Sequence, residues 1–298
     1  MEQKKTWYDK HYKTLLLIPL ILIIFSIAYL AVFNAQTGDF FRKDISLAGG
    51  TEVTIYDENL NMEELENSLS DKLPELDTRK ISYITTGTQK GVVVKTTENL
   101  DNTKKILEEF LGYELISGEK EKSNSDIRTE NSSFSEGFYK QLLIAILIAF
   151  IFMAIVVFII FKKTIIPSVA VLISAFADIL MTLVLVNILG IKLSTAGIVA
   201  LIMLIGYSVD TDIMLTNRVL KRQNEGTLNK RIYDSFKTGM TMTLSSFFAM
   251  LIALVVVQSF SPILTQIFTI LVIGLGFDIL NTWITNVSIL KWYMERKK

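Results

Sequence analysis

Four aspartates, Asp178, Asp210, Asp212 and Asp278, stand inside long apolar stretches of a 298-residue chain. A carboxylate at bilayer depth costs several kcal/mol unless it is paired, hydrated or neutralised. The stretches that hold them contain no lysine, arginine or histidine. Such groups suit proton or cation exchange, in a water-filled seam or against a cation from another chain.

Their depths follow from a rise of about 1.5 Å per residue. Asp178 and Asp278 fall near the middle of their stretches. Asp210 lies roughly 6 Å inward of the centre of its own, and Asp212 within a turn of the inner surface. Asp178, Asp210 and Asp278 are therefore expected at a similar depth on three helices. Asp210 and Asp212 are about 200° apart around one helix and cannot share a face. Asp212, close to Arg218, also fits a snorkelling or capping role, and structural hydrogen bonding remains open for the others. Gly206 lies one turn before Asp210 and Gly274 one turn before Asp278, where a second backbone could approach each acid. Thr241, Ser245, Ala249 and Ala253 add a small-residue stripe. Ordinary helix packing accounts for these small residues equally well.

The elements that must carry these acids are membrane helices. Half of the residues are hydrophobic and the mean hydropathy is +0.42, and the apolar residues cluster in segments long enough to cross a hydrocarbon core. The expected spans are Leu15–Phe33, Gln141–Phe161, Thr164–Ile191, Leu193–Asn217, Thr238–Val257 and Ile263–Leu290, the last two separated at Gln258–Pro262. The first segment is too long for a signal-peptide core and reads as an anchor. Lysine and arginine set the orientation. With both termini in the cytoplasm, the inner face holds Lys4, Lys5, Lys10, Lys13, Lys162, Lys163, Arg218, Lys221, Arg222, Lys230, Arg231, Lys237, Lys291, Arg296, Lys297 and Lys298. The short outer loops hold only Lys192. That basic face suits anionic lipid headgroups.

Residues 35–137 form a block with 21 acidic and 12 basic side chains, expected to be an extracytoplasmic domain between the first and second spans. Gly50–Tyr56 alternates like a strand, and Asn61–Leu73 has helical spacing with Asn61 as N-cap. Lys80–Thr86 and Gly91–Thr97 read as a hairpin, and Leu100–Leu111 as a second helix. A last strand is sought at Tyr113–Ile116, while Gly118–Ser133 is too polar to assign. The order is that of a small α+β, ferredoxin-like sandwich. The acidic excess fits a solvated surface or a face for a polypeptide or partner domain. The Asn131-Ser132-Ser133 triplet is too common to carry weight. The expected architecture is thus a polytopic α-helical membrane protein, with residues 1–34 and 138–298 supplying six transmembrane helices. There is no cysteine, and the reading assigns no metal, cofactor, nucleic acid or enzymatic activity.

Leu204-Ile205-Gly206-Tyr207-Ser208-Val209-Asp210-Thr211-Asp212 resembles the fourth-helix motif of the SecD/SecF family, most closely its SecF side. Asp44-Ile45-Ser46-Leu47-Ala48-Gly49-Gly50-Thr51 resembles the Gly-Gly motif that follows that family's first helix, and Ala177-Asp178 matches its third-helix aspartate. Bacterial members usually place an aspartate where Thr211 stands. Asp210 instead keeps the register of SecD and of the wider RND superfamily, and with Asp278-Ile279-Leu280-Asn281 the pattern is similar to the archaeal branch. The resemblance implies an auxiliary subunit of protein export, an RND-like half that pairs with SecD beside the Sec translocon channel. It further implies use of the proton motive force, or another ion gradient, to help move exported polypeptide.

Competing readings remain at this level. Val209-Asp210 also suits an RND-like exporter of lipids or small molecules, although the outer domain is small for one. Gly274-Leu275-Gly276-Phe277-Asp278 differs by one residue from an aspartyl-protease loop. The acids could also serve only to hold helices together. No Gly-Lys dipeptide occurs, which removes a P-loop ATPase.

Overall fold

The computed structural model describes residues 7–83, 85–118, 123–130, 132–162, 164–222, 224 and 226–296. Lys4, Lys5, Lys163, Lys297 and Lys298, and Asn131 of the glycosylation-type triplet, lie outside the described residues.

Helix α1 (Trp7–Leu15) leads into α2 (Leu17–Thr37), the first span. α2 runs past its expected end at Phe33. Nothing in Asn34–Thr37 opposes the helix, and Gly38 is the residue that takes the left-handed φ of 79° closing it. Asp44 then caps the short α3 (Ile45–Ala48) by accepting from the Ile45 N–H at 2.7 Å. Gly49 and Gly50 open β1 (Gly50–Ile55). Gly50 has φ +138°, and a Cβ there would stand 2.2 Å from the Thr96 carbonyl oxygen. The second glycine of the motif is thus required by close strand approach.

The chain continues through α4 (Met62–Leu69), β2 (Asp77–Ser82), β3 (Gln89–Thr96), α5 (Leu100–Leu111) and β4 (Ser125–Glu130). The four strands pair antiparallel in the order β2-β3-β1-β4. With the two helices this is the ferredoxin-like βαββαβ arrangement. Val53, Ile55, Val92 and Val94 pack against Leu65, Leu69, Leu73, Leu107 and Leu115. Asn61 caps α4, accepting from the Glu63 and Glu64 N–H groups.

Three expectations need correction here. β2 begins at Asp77 rather than Lys80. α4 ends at Leu69, although Leu73 still enters the core. The last strand is Ser125–Glu130, not Tyr113–Ile116, where Leu115 is a buried plug. Ser-Asp-Ile-Arg-Thr-Glu makes an edge strand whose main apolar contribution is Ile127, so its pattern is too weak to stand out.

The remaining spans are α6 (Ser132–Ile160), α7 (Ile165–Ile188), α8 (Thr195–Lys221), α9 (Leu228–Val257) and α10 (Pro262–Leu280). A π-helical segment, Asn281–Asn286, carries α10 on into α11 (Val287–Arg296). α8, α9 and α11 extend beyond the expected limits into basic sequence, because a helix need not stop where the hydrocarbon does. Thr227 caps α9 ahead of Lys230 and Arg231. The break at Gln258–Pro262 is present, with Ser261 as N-cap and Pro262 in the first turn of α10. α7 and α8 are the most buried spans, whereas α2, α6 and α9 are exposed along most of their length.

The sheet domain is fastened to the ends of the bundle that carry the α7–α8 and α9–α10 connections. Asp44 N–H donates to Leu193 O at 2.8 Å, and Leu193 N–H to Arg42 O at 2.7 Å. Ser82 N–H on the β2 edge donates to Ser259 O at 2.9 Å. The Arg79 guanidinium donates to Gln258 O at 2.7 Å and Thr265 Oγ1 at 3.1 Å. That places a cation on the C-terminal end of α9, where the helix dipole favours it.

Candidate functional site

The deepest polar cluster lies where α7, α8 and α10 cross. Ser174, Asp178 and Thr182 recur every fourth residue on α7, and Ser208, Asp212 and Thr216 do so on α8. All six are buried. Residues four apart lie on one helix face, so each helix turns one polar stripe inward. α10 and its π-helical continuation add Asp278, Asn281, Thr282, Thr285 and Asn286, also buried.

The π winding matters to this arrangement. In an α-helix, residues five apart point about 140° away from each other. In a segment wound by i→i+5 bonding the turn widens to about 4.4 residues, so residues five apart lie within roughly 50° of each other. Asn281 and Asn286 therefore both face the acids. Asn281 Nδ2 donates to Asp178 Oδ1 at 2.7 Å, and the Ser208 hydroxyl donates to Asp178 Oδ2 at 2.5 Å. Asn286 Nδ2 donates to Asp212 Oδ1 at 2.7 Å. The Thr282 hydroxyl lies 2.9 Å from Asp212 Oδ1 and 3.1 Å from Asp278 Oδ1.

Every hydrogen-bond partner of these carboxylates among the described residues is an uncharged hydroxyl or amide. Asp212 Oδ2, Asp278 Oδ2 and Asn286 Oδ1 are buried without a partner. Left ionised together, three carboxylates here would bear an uncompensated buried charge. The arrangement can hold and transfer protons.

Asp178, Asp212 and Asp278 are thus brought together, and Asp210 is not. The expected trio contained Asp210, but its side chain is exposed on the opposite face of α8. The 200° separation decides this: turning Asp212 inward turns Asp210 out. Nor does Arg218 hold Asp212; it donates to Asp234 O at 2.8 Å and Thr238 Oγ1 at 2.9 Å. Gly206, like Asp210, faces out of the chain, and a Cβ there would meet nothing within 4 Å. Tyr207 packs half-buried against the central apolar cluster. Gly274 does permit close approach: a Cβ would lie 2.4 and 2.5 Å from the two methyl carbons of Leu204 on α8. Thr241 and Ser245 are exposed and donate to their own helix, so that stripe does not pack within the chain. The packed side of α9 is instead Gly239 and Thr243, with Gly239 against Trp283.

The uncharged partners Ser208, Asn281, Thr282 and Asn286 were not expected. Their signal was the four-residue polar period through the acids, which a search for charges passes over.

Outside the membrane, the open sheet face and the α7–α8 and α9–α10 loops enclose a cleft of about 600 Å³. Lys95 lies in it, 2.7 Å from Asp44 and 3.4 Å from Glu52. Burial pulls the Lys95 ammonium down, but the two carboxylates outweigh it and hold the group above its ordinary value. Near the end of α5, burial and then the Asp57 carboxylate push the Tyr113 hydroxyl up to about 12.

Residues 114–296 match the family model described as protein export membrane protein SecD/SecF, C-terminal. The protein-export membrane protein SecF of Methanocaldococcus jannaschii is 38% identical over 96% of this chain and 96% of its own length. That of Pyrococcus furiosus is 32% identical over 100% of this chain and 96% of its own. Among solved structures, SecDF of Thermus thermophilus, a translocon-associated membrane protein, aligns with a TM-score of 0.72 at 17% identity. The alignment covers 98% of this chain and 39% of that one. A SecDF structure in a super-membrane-facing form gives 0.58 at 15% identity, covering 100% of this chain and 40% of the other. These two likenesses concern the fold, and the chain spans about two fifths of each solved chain.

Proposed function

The chain belongs to the SecD/SecF family of protein-export membrane proteins, and from that membership we propose that it works by ion exchange at its buried carboxylates. Its role is auxiliary to Sec-dependent export, as the names of its relatives indicate. The reading as an RND-like exporter of lipids or small molecules is not favoured, since full-length relatives carry the export name.

In this proposal the chain is one half of a complex with SecD, beside the Sec channel. Its termini are cytoplasmic and its ferredoxin-like domain faces outward, towards the exported polypeptide. The supporting observation is the meeting of Asp178, Asp212 and Asp278 among neutral donors, with unpartnered oxygens left over. Asp210, on the outer face of α8, supports a polar contact with the partner half rather than a place in the cluster. One charge crossing a 100 mV potential yields about 2.3 kcal/mol, enough to bias a two-state helix arrangement.

The test is export measured in membranes whose only copy of the chain carries Asp212→Asn or Asp278→Asn. Export should fall severalfold and lose its dependence on the ion gradient. Unchanged export with the dependence intact would refute the proposal. Asp210→Asn should instead weaken co-purification with SecD.

A further inference from the structure

Thr282 has one hydroxyl proton and two carboxylate neighbours, at 2.9 Å on Asp212 Oδ1 and 3.1 Å on Asp278 Oδ1. A hydroxyl donates one hydrogen bond and accepts up to two. It cannot donate to both acids. Both contacts are hydrogen bonds only when one acid carries a proton and donates it to Thr282 Oγ1.

The surroundings select which acid that is. Asp212 Oδ1 also receives the Asn286 amide at 2.7 Å, and an oxygen accepting two donors suits an ionised carboxylate. Asp278 Oδ1 meets the Thr282 hydroxyl, the nearby Ser208 hydroxyl is donated to Asp178 Oδ2, and Asp278 Oδ2 has no hydrogen-bond partner. Asp178 faces the cluster from α7, already held by Ser208 and Asn281. Other titratable groups on the adjoining helices turn elsewhere. Asp210 is exposed, Tyr29 of α2 packs beside Leu30 and Leu180, and Lys291 of α11 lies over the Tyr12 ring. α9 contributes the Thr243 hydroxyl, 3.4 Å from Thr211.

We infer that Thr282 is a one-proton relay between Asp278 and Asp212, with Asn286 as the positioning residue that keeps the proton on Asp278. In the transfer step the Asp278 O–H bond breaks and its proton bonds to Thr282 Oγ1. The original Thr282 O–H breaks in concert, and that proton bonds to Asp212 Oδ1. Asp278 becomes the carboxylate, Asp212 the neutral acid, and Thr282 is regenerated. No other reactant is needed. The relay's consequence for export rests on the ion-exchange reading above; the relay itself does not.

Dicyclohexylcarbodiimide modifies protonated buried carboxyls and spares carboxylates, so it reports where the proton resides. The full chain in lipid vesicles is labelled at neutral pH and mapped by mass spectrometry. Label on Asp278 should exceed that on Asp212 by about tenfold, a population ratio worth about 1.4 kcal/mol. Asn286→Leu should collapse that ratio towards equality. Thr282→Val should uncouple the two acids and change the pH profile of their labelling, and Thr282→Ser should restore it. Equal labelling in the wild type, a ratio indifferent to Asn286→Leu, or a wild-type profile in Thr282→Val would each overturn the relay. Expected labelling together with export indifferent to Asp278→Asn would overturn the proposed function and leave the relay standing.

Discussion

Replacing Gly274 by alanine tests whether the α8–α10 spacing is set as tightly as the structure places it. The added Cβ would stand 2.4 and 2.5 Å from the Leu204 methyl carbons and 3.0 Å from Leu204 Cγ. The intruded atoms are the far end of a side chain, which normally yields cheaply. Leu204, however, is fully buried in a cluster with Leu201, Ile270 and Leu271. In an interior at crystal-like density it has no free rotamer to retreat into. Overpacking of this kind costs about 1–3 kcal/mol. Leu204→Ala alone leaves a cavity and costs about 2–5 kcal/mol.

Together the two changes should be far milder than their sum, because the alanine methyl occupies part of the space that Leu204 vacates. The expected coupling is about 1–3 kcal/mol, within the range seen for residues in contact. Thermal or denaturant unfolding of all four species in one detergent measures it. Additive losses, or a Gly274→Ala protein as stable as wild type, would show that the helices are not held at this distance.

Two further outcomes concern the outer domain. Lys95 is held above its ordinary 10.5 by Asp44 and Glu52, so its contribution to stability is complete below that value. It is lost as pH rises through the higher folded value. Wild type should therefore lose more stability than Lys95→Met between neutral pH and the strongly alkaline range, and parallel pH–stability curves would contradict this. Gly50→Ala combines a strained φ of +138° with a Cβ 2.2 Å from a backbone oxygen. It should unpair the start of β1 and speed hydrogen exchange at Thr51, leaving the amides of α7 and α8 protected; unchanged exchange at Thr51 would refute the steric account of the motif.

The fold was largely legible because two strong signals governed it. Apolar length marked the six spans, and local periodicity with caps marked β1, α4 and α5. Helix ends in charged sequence were misjudged, since hydropathy reports the membrane and not the backbone hydrogen bonds that carry α8, α9 and α11 beyond it. β4 was missed because an edge strand with one apolar anchor resembles a loop. The site was half legible. The acids stood out by their cost in lipid, but which of Asp210 and Asp212 faces inward depends on how α8 packs, and neither charge nor depth contains that phase. Ser208 and Thr216 were the available clue, since they share one face of α8 with Asp212 and neither lies beside Asp210; Thr282 and Asn286 repeat the same four-residue period from Asp278. The π-helical winding that turns Asn281 and Asn286 to the same side has no simple composition signature.

The three helices that meet at the buried acids are also fastened, at the ends nearest it, to the sheet domain. On α7, Asn187 Oδ1 accepts from the Arg42 N–H at 3.3 Å. At the start of α8, the Thr195 N–H donates to Ser46 Oγ at 3.2 Å. On α10, Thr265 Oγ1 accepts from Arg79. Gln266 ties two of these ends together: its amide donates to Lys192 O at 2.5 Å, and its carbonyl accepts from the Ser194 hydroxyl. Thr265 and Asp278 are separated by roughly 20 Å of continuous helix at 1.5 Å per residue. Helices transmit displacement as stiff rods, whereas loops absorb it. On the ion exchange proposed above, a proton moved within the cluster would change the forces among α7, α8 and α10 at their middles, and these end bonds are where such a change would reach the domain. An isolated structural ion cluster would need no such fastening at all three ends.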